Sequence, residues 1–235
     1  SPHDVPGLYE AYFGDADEFK EMYEMYERKT SIKKKKLPAM ELFSALVKER
    51  AETGRIYIMN VDHSNEHSSF KDKVYMSNLC QEITLPTKPL QHIDDEDGEI
   101  ALCILSAINV GVIKDLNDLE ELCELAVRAL EEIIDYQAYP IKAAEISTKA
   151  RRSLGIGYIG LAHYLAKNKV KFDDPQSWKL VHDLTEAFQY YLLKASNKLA
   201  IERGPCEYFD RTKYSDGILP IDTYKKDVDT IVENK

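Results

Sequence analysis

The sequence predicts an α/β fold, on three observations. The run "IALCILSAINVG" (residues 100–111) is apolar at nearly every position, as a strand buried on both faces of a parallel or barrel sheet would be. "RIYIMNV" (55–61) and "MSNLCQEITLPT" (76–87) have the composition and bounding residues of two further strands. Segments of helical periodicity alternate with these runs. Hydrophobic residues make up 44% of the 235-residue chain and charged residues 31%, which supplies a core and excludes a disordered polymer.

Taken in order, "DADEFKEMYEMYERK" places Phe19, Met22, Tyr23 and Tyr26 on one helical face behind Asp15 as N-cap. The lysine run of "SIKKKKLPAM" reads as a solvated face. Pro38 suits the first turn of a helix through about Thr53, with Gly54 past its end. The first strand follows, and "NVDHSNEHSS" (60–69) reads as loop. Asp62, His63, Glu66 and His67 within it lack the H-E-x-x-H arrangement, so turn hydrogen bonding is preferred to metal ligation. After the 76–87 strand, "DDEDGE" (94–99) is a turn without calcium-loop spacing. Asp118 and Glu121 resemble a capping box opening the helix "DLEELCELAVRALEEIIDY", in which Cys123 is packing. The last long helix begins near Asp174-Pro175 and ends before Gly204. Trp178, Val181, Phe188, Tyr191, Leu192 and Leu199 are expected on its apolar side, and the Tyr190-Tyr191 pair is read as packing.

"GIGYIG" (155–160) matches G-x-G-x-x-G, but no hydrophobic strand is evident before it and no acid ends a following strand. The glycines are therefore read as allowing close strand–helix packing, not as a dinucleotide site. A formal net charge of −10 argues against binding a nucleic-acid polymer. The four cysteines include no C-x-x-C pair, and no apolar run is long enough to span a membrane, so a reducing cytoplasm is expected. The opening Ser1-Pro2-His3 and the close at "DTIVENK", read as inside an amphipathic helix, give the expectation that both ends are cut from something longer.

Within 76–87, Asn78, Cys80 and Glu82 recur at two-residue spacing. On a strand an amide, a thiol and a carboxylate would share one face, with Leu79, Gln81 and Ile83 on the other. An ordinary solvated strand face has the same alternation. A thiol between a hydrogen-bonding amide and a potential base is less ordinary.

"SNLCQEITLPTKPL" and "GEIALCILSAINVG", together with "SPHDVPGLYEAYF", "ELFSALVKERAETGRIYIMNVDH", "RRSLGIGYIGLAHYLAK" and "GILPIDTYKKDVDTI", resemble the large, catalytic subunit of class I (aerobic) ribonucleotide reductase, of bacterial or bacteriophage type. The resemblance covers essentially the whole chain but only the middle of such a subunit. It implies that residues 1–235 are one partial catalytic domain, part of a ten-stranded α/β barrel with a finger loop through its centre. It implies that Cys80 at the loop tip carries a thiyl radical. Glu82 would be the general base, and Asn78 and Glu82 would hold the ribose. Cys103 would be one member of a reducing cysteine pair. No metal or directly bound cofactor is expected on this chain. The resemblance assigns the radical source to a small partner subunit with a di-iron tyrosyl-radical site. Reduction falls to thioredoxin or glutaredoxin, and ATP and dNTP effectors to the full-length oligomeric subunit. The other reducing cysteine, the nucleotide specificity site, the N-terminal regulatory region, the phosphate-binding loop, the radical-relay tyrosines and the C-terminal redox tail are expected outside residues 1–235. Two rivals stand beside the enzyme segment. One is a split-subunit piece that is inert until it assembles with the missing segments. The other is a thiol redox or metal sensor built on Cys80, Cys103 and the histidines.

Overall fold

The structure, a computed structural model, describes residues 3–225. The described residues divide into two compact units, one of residues 3–87 with 211–225 and one of residues 88–210. The expected helix at "DTIVENK" lies outside the described residues.

The first unit holds helices α1 (Leu8–Tyr12), α2 (Ala16–Arg28), α3 (Ala39–Thr53) and α4 (Val61–Glu66). Asp15 caps α2 as its sequence predicts, accepting from the backbone N–H groups of Asp17 and Glu18, each at 3.0 Å. Lys34 corrects the view of the lysine run as wholly solvated. Its Nζ donates to the carbonyls of Glu27 and Lys29, each at 2.5 Å, and so satisfies the carbonyl end of α2. Lys213 does the same for α4, donating to the Glu66 carbonyl at 2.5 Å. Phe13 is buried among aromatic rings, with Tyr75 at 4.8 Å and Tyr9 at 5.1 Å. Helix α3 ends at Gly54 with φ 64°, as expected, but buries none of its residues; Met40, Leu42 and Phe43 are all exposed.

Two expected elements change here. Residues 55–60 and 76–87 form no strand. β-Propensity expresses packing against neighbouring strands, and these segments have no ladder partner among the described residues. The 60–69 loop instead contains α4. Asn65 pins it, donating to the carbonyls of Val61 and Val74 at 3.0 Å while its Oδ1 accepts from Val74 N–H at 2.8 Å.

The second unit is a two-layer α/β structure. Strands β1 (Ile104–Asn109) and β2 (Leu154–Ile159) pair in parallel, from Ile104 opposite Leu154 to Asn109 opposite Ile159. Helices α5 (Asp118–Tyr136) and α6 (Lys142–Arg151) form the crossover, and α7 (Leu161–Lys167) and α8 (Pro175–Arg203) follow β2. One sheet face packs on α5 and α8 through Ile108, Leu119, Cys123, Leu184 and Phe188, with Ile156 and Tyr158 against them. Val127, Ala195 and Leu199 extend this core beside Leu154. Each such aliphatic or aromatic side chain contributes about 1.5–3 kcal/mol when removed from water.

Outside the core the two helices are joined by ion pairs: Glu120–Lys194 at 2.5 Å, Glu124–Lys198 at 2.7 Å, Arg128–Glu202 at 2.7 Å, and Glu132–Arg203. The first three pairs advance four residues on both helices together, so α5 and α8 run in the same direction.

Three expectations for this unit are corrected. The 100–111 strand is shorter and buried on one face only; Leu105 remains 59% exposed and Ala107 and Asn109 are exposed, because helices cover only the other side. Asp118 closes no capping box. Its carboxylate turns back to accept from the N–H groups of Lys114 and Asp115 at 2.9 and 3.2 Å, which holds its pKa below the usual aspartate value. As expected, no strand directly precedes "GIGYIG"; helix α6 does, and "GIGYI" itself lies within β2. Trp178 and Tyr190, expected to pack on α8, are 73% and 60% exposed. Cys123 is fully buried, as expected of a packing thiol.

Candidate active site

The segment expected to be a strand at Asn78, Cys80 and Glu82 is the tip of a loop. Gln81 N–H donates to the Asn78 carbonyl at 3.1 Å, closing a turn with Leu79 and Cys80 at its apex. Asn78 N–H reaches across to the Ile83 carbonyl at 3.2 Å, and Ile83 N–H returns to Asn78 Oδ1 at 3.0 Å. Gln81 adopts φ 66°, the left-handed conformation that lets the chain reverse. The shared strand face is therefore replaced by a turn whose base is Asn78 and whose apex holds the thiol. Cys80, Asn78 and Glu82 are all exposed, and Leu79 beside them is 88% exposed. Asn78 uses its carboxamide oxygen to hold the turn, which leaves its Nδ2H₂ as the part of that group able to serve a ligand.

Cys103 belongs to the second unit and is half-buried immediately before β1. Its Sγ lies over Gly155 of β2. A buried ion pair fixes the chain just upstream. Arg151 donates through Nε and Nη2 to Glu99 Oε2 at 2.9 and 2.6 Å, and both side chains are more than nine-tenths buried. The Arg151 guanidinium stacks over Tyr208 at 5.2 Å. Glu99 also exchanges backbone hydrogen bonds with Lys88, while Ile100 N–H donates to Ala143 and Ile104 N–H to Ser153. Cys103 is thus held between two anchored segments. Sequence reasoning missed both Glu99–Arg151 and Gly155. A glycine inside an apolar strand was the available signal for the second.

Of the remaining cysteines, Cys123 is buried and Cys206 is half-buried. Cys123 is pushed up to about 11 by burial, and burial also raises Cys206. Among the described residues no group of three or more His, Cys, Asp or Glu gathers to hold a metal ion. His67 stacks on Tyr224 at 4.8 Å, with Nδ1 3.1 Å from Thr223 Oγ1. No helix among these residues is long and apolar enough to cross a membrane.

The family described as "Ribonucleotide reductase, barrel domain" matches residues 1–234. The chain is 60% identical over 236 residues to ribonucleoside-diphosphate reductase subunit alpha of Haemophilus influenzae, covering 99% of this chain. It is 58% identical over 234 residues to ribonucleoside-diphosphate reductase 1 subunit alpha of Escherichia coli K12, covering 98%. The corresponding subunit of Enterobacteria phage T4 is 44% identical over 241 residues, covering all of this chain. The chain spans 31% of the length of each of these relatives.

Proposed function

We propose, from the premise that this chain belongs to the ribonucleotide reductase barrel-domain family, that it is the segment of a ribonucleoside-diphosphate reductase catalytic subunit that carries the thiyl-radical chemistry. The observation that carries this reading is Cys80 at the apex of the 78–83 turn, where an exposed thiol can reach a substrate from a backbone fixed by Asn78. In the complete subunit this turn is the tip of a finger loop inside a ten-stranded barrel.

The radical comes from a separate di-iron subunit. Cys80 as thiyl radical takes hydrogen from ribose C3′ and becomes a thiol. Glu82 removes the 3′-OH proton as general base. Asn78 donates from Nδ2 to a sugar hydroxyl and holds the ring in reacting range. The 2′-OH, protonated by the cysteine pair, leaves as water. The pair's other hydrogen goes to C2′ as Cys103 and a second cysteine from outside this chain together give up two electrons and become a disulfide. Glu82 returns its proton to the 3′ oxygen, Cys80 returns its hydrogen to C3′, and a thioredoxin or glutaredoxin reopens the disulfide. ATP and dNTP effectors act on regions outside residues 1–235, and the subunit works as a cytoplasmic oligomer.

The uncovered face of the β1–β2 pair favours a second form of the same reading, in which the chain acts as one piece of a split subunit. Parallel strands are ordinarily covered on both faces, and here the missing cover would come from the other barrel segments. The test is reconstitution of the chain with those segments, the radical subunit and a redoxin. Deoxyribonucleotide should form only in the full mixture, and Cys80→Ser should abolish it, since a hydroxyl does not replace the thiyl radical. Multiple turnovers with Cys80→Ser would overturn the mechanism.

A further inference from the structure

We infer that Gly155 is a positioning residue for the Cys103 thiol, its missing side chain forming the seat in which Sγ rests. Its importance to turnover rests on the reductant role proposed for Cys103; the positioning itself does not.

Four observations carry the inference. The parallel register sets Gly155 opposite Leu105, two residues beyond Cys103. A Cβ on Gly155 would stand 2.8 Å from Cys103 Sγ and would also overlap Leu105 Cδ2. Heavy atoms in ordinary contact sit roughly 3.5–4.0 Å apart, so the thiol would have to give way by about 1 Å. The backbone gives no other reason for glycine here, because Gly155 is not among the positive-φ residues. Gly157 makes the comparison internal to the strand. Two residues on, and so on the same sheet face, an added Cβ would meet nothing within 4 Å.

Displacement of this size matters to a redox thiol. Disulfide formation accepts a narrow separation of about 3.5–4.5 Å between Cβ atoms, and a sulfur turned out of its seat presents the wrong vector to its partner. The "GIGYIG" run therefore serves sulfur placement at its first glycine and strand-end geometry at its last. Gly160 has φ 82°, and a Cβ there would overlap Asn109 Oδ1.

The test measures alkylation of Cys103 by iodoacetamide in the 235-residue chain, quantified by peptide mass spectrometry from pH 6 to 9. It compares the parent, Gly155→Ala, Gly157→Ala, and Gly155→Ala combined with Leu105→Ala. Gly155→Ala should raise the Cys103 rate at least threefold as the thiol leaves its half-buried seat. The increase should persist in the double variant, where the Leu105 overlap is gone, and Gly157→Ala should match the parent. Cys123 serves as the folding control. An unchanged or lower rate in Gly155→Ala overturns the assignment. So does an increase that Leu105→Ala removes, that Gly157→Ala reproduces, or that Cys123 shares in both Gly155 variants. Alkylation needs no turnover, so failure of the reductant role would show separately, as normal multiple turnover of Cys103→Ser in the reconstituted mixture.

Discussion

At the scale of residues, the thiols differ by environment more than by sequence context. Cys80 stands exposed at a turn apex, whereas Cys123 has no solvent contact and is pushed up to about 11 by burial. The thiolate is the reacting form, and at pH 8 a thiol of that pKa is ionised to roughly one part in a thousand. A thiol reagent at pH 8 should therefore modify Cys80 rapidly and leave Cys123 unmodified until the chain unfolds. Time-resolved mass spectrometry checks the order, and early labelling of Cys123 would contradict the packing described for α5. The residues "SNLCQEITLPT" made the family legible in the sequence. They did not reveal that Asn78 spends its carboxamide oxygen on the turn, because that bond depends on a chain reversal at Gln81 that alternating polarity does not announce.

At the scale of elements, the helices with strong end signals were legible. Asp15, Asp174, Gly54 and Gly204 mark boundaries that the structure keeps within a residue. Helix α6 was not, because its buried side is Ala143, Ala144, Ser147, Thr148, Ala150 and Arg151, which leaves no apolar stripe to read. Strand β2 was hidden by its glycines, and 55–60 carries strand residues with no ladder partner among the described residues. The α5–α8 ladder predicts a pH dependence. Hydrogen bonds from Lys198 and Arg128 hold Glu124 below the ordinary glutamate value, and Arg128 does the same for Glu202. Groups with a depressed folded pKa add stability above their unfolded value, and that contribution fades as pH falls through the folded one. The melting temperature of the unit holding these helices should therefore fall as pH drops below about 4.5, the ordinary value for glutamate. Glu124→Gln should lower it at pH 7 and flatten its acid dependence. Circular dichroism melts from pH 7 to 3 measure both.

At the scale of the whole molecule, exposed apolar surface is the dominant feature. Leu37, Met40, Leu42 and Phe43 stand exposed in and just before α3, and Leu105 and Ile159 stand exposed on the open sheet face. Contiguous apolar surface and unpaired strand edges favour association. Sedimentation velocity at neutral pH should show the isolated chain as concentration-dependent oligomers, and Leu105→Lys with Ile159→Lys should shift it toward monomer. A monodisperse parent would contradict this. The α/β class was legible from the order of segments. The lack of cover on one sheet face was not, because "IALCILSAINVG" has the composition of a strand covered on both faces whether or not that cover is present.

The parallel pairing of β1 with β2 also orders events in time. A parallel partner cannot be reached through a tight hairpin; residues 110–153 must first be made and folded into α5 and α6. During synthesis at about 5–20 residues per second, Cys103 emerges seconds before Gly155 exists to receive it. The thiol that the finished fold half-buries therefore begins life uncovered, and a nascent chain meeting an oxidant in that interval is open to modification at a sulfur the folded protein would shelter.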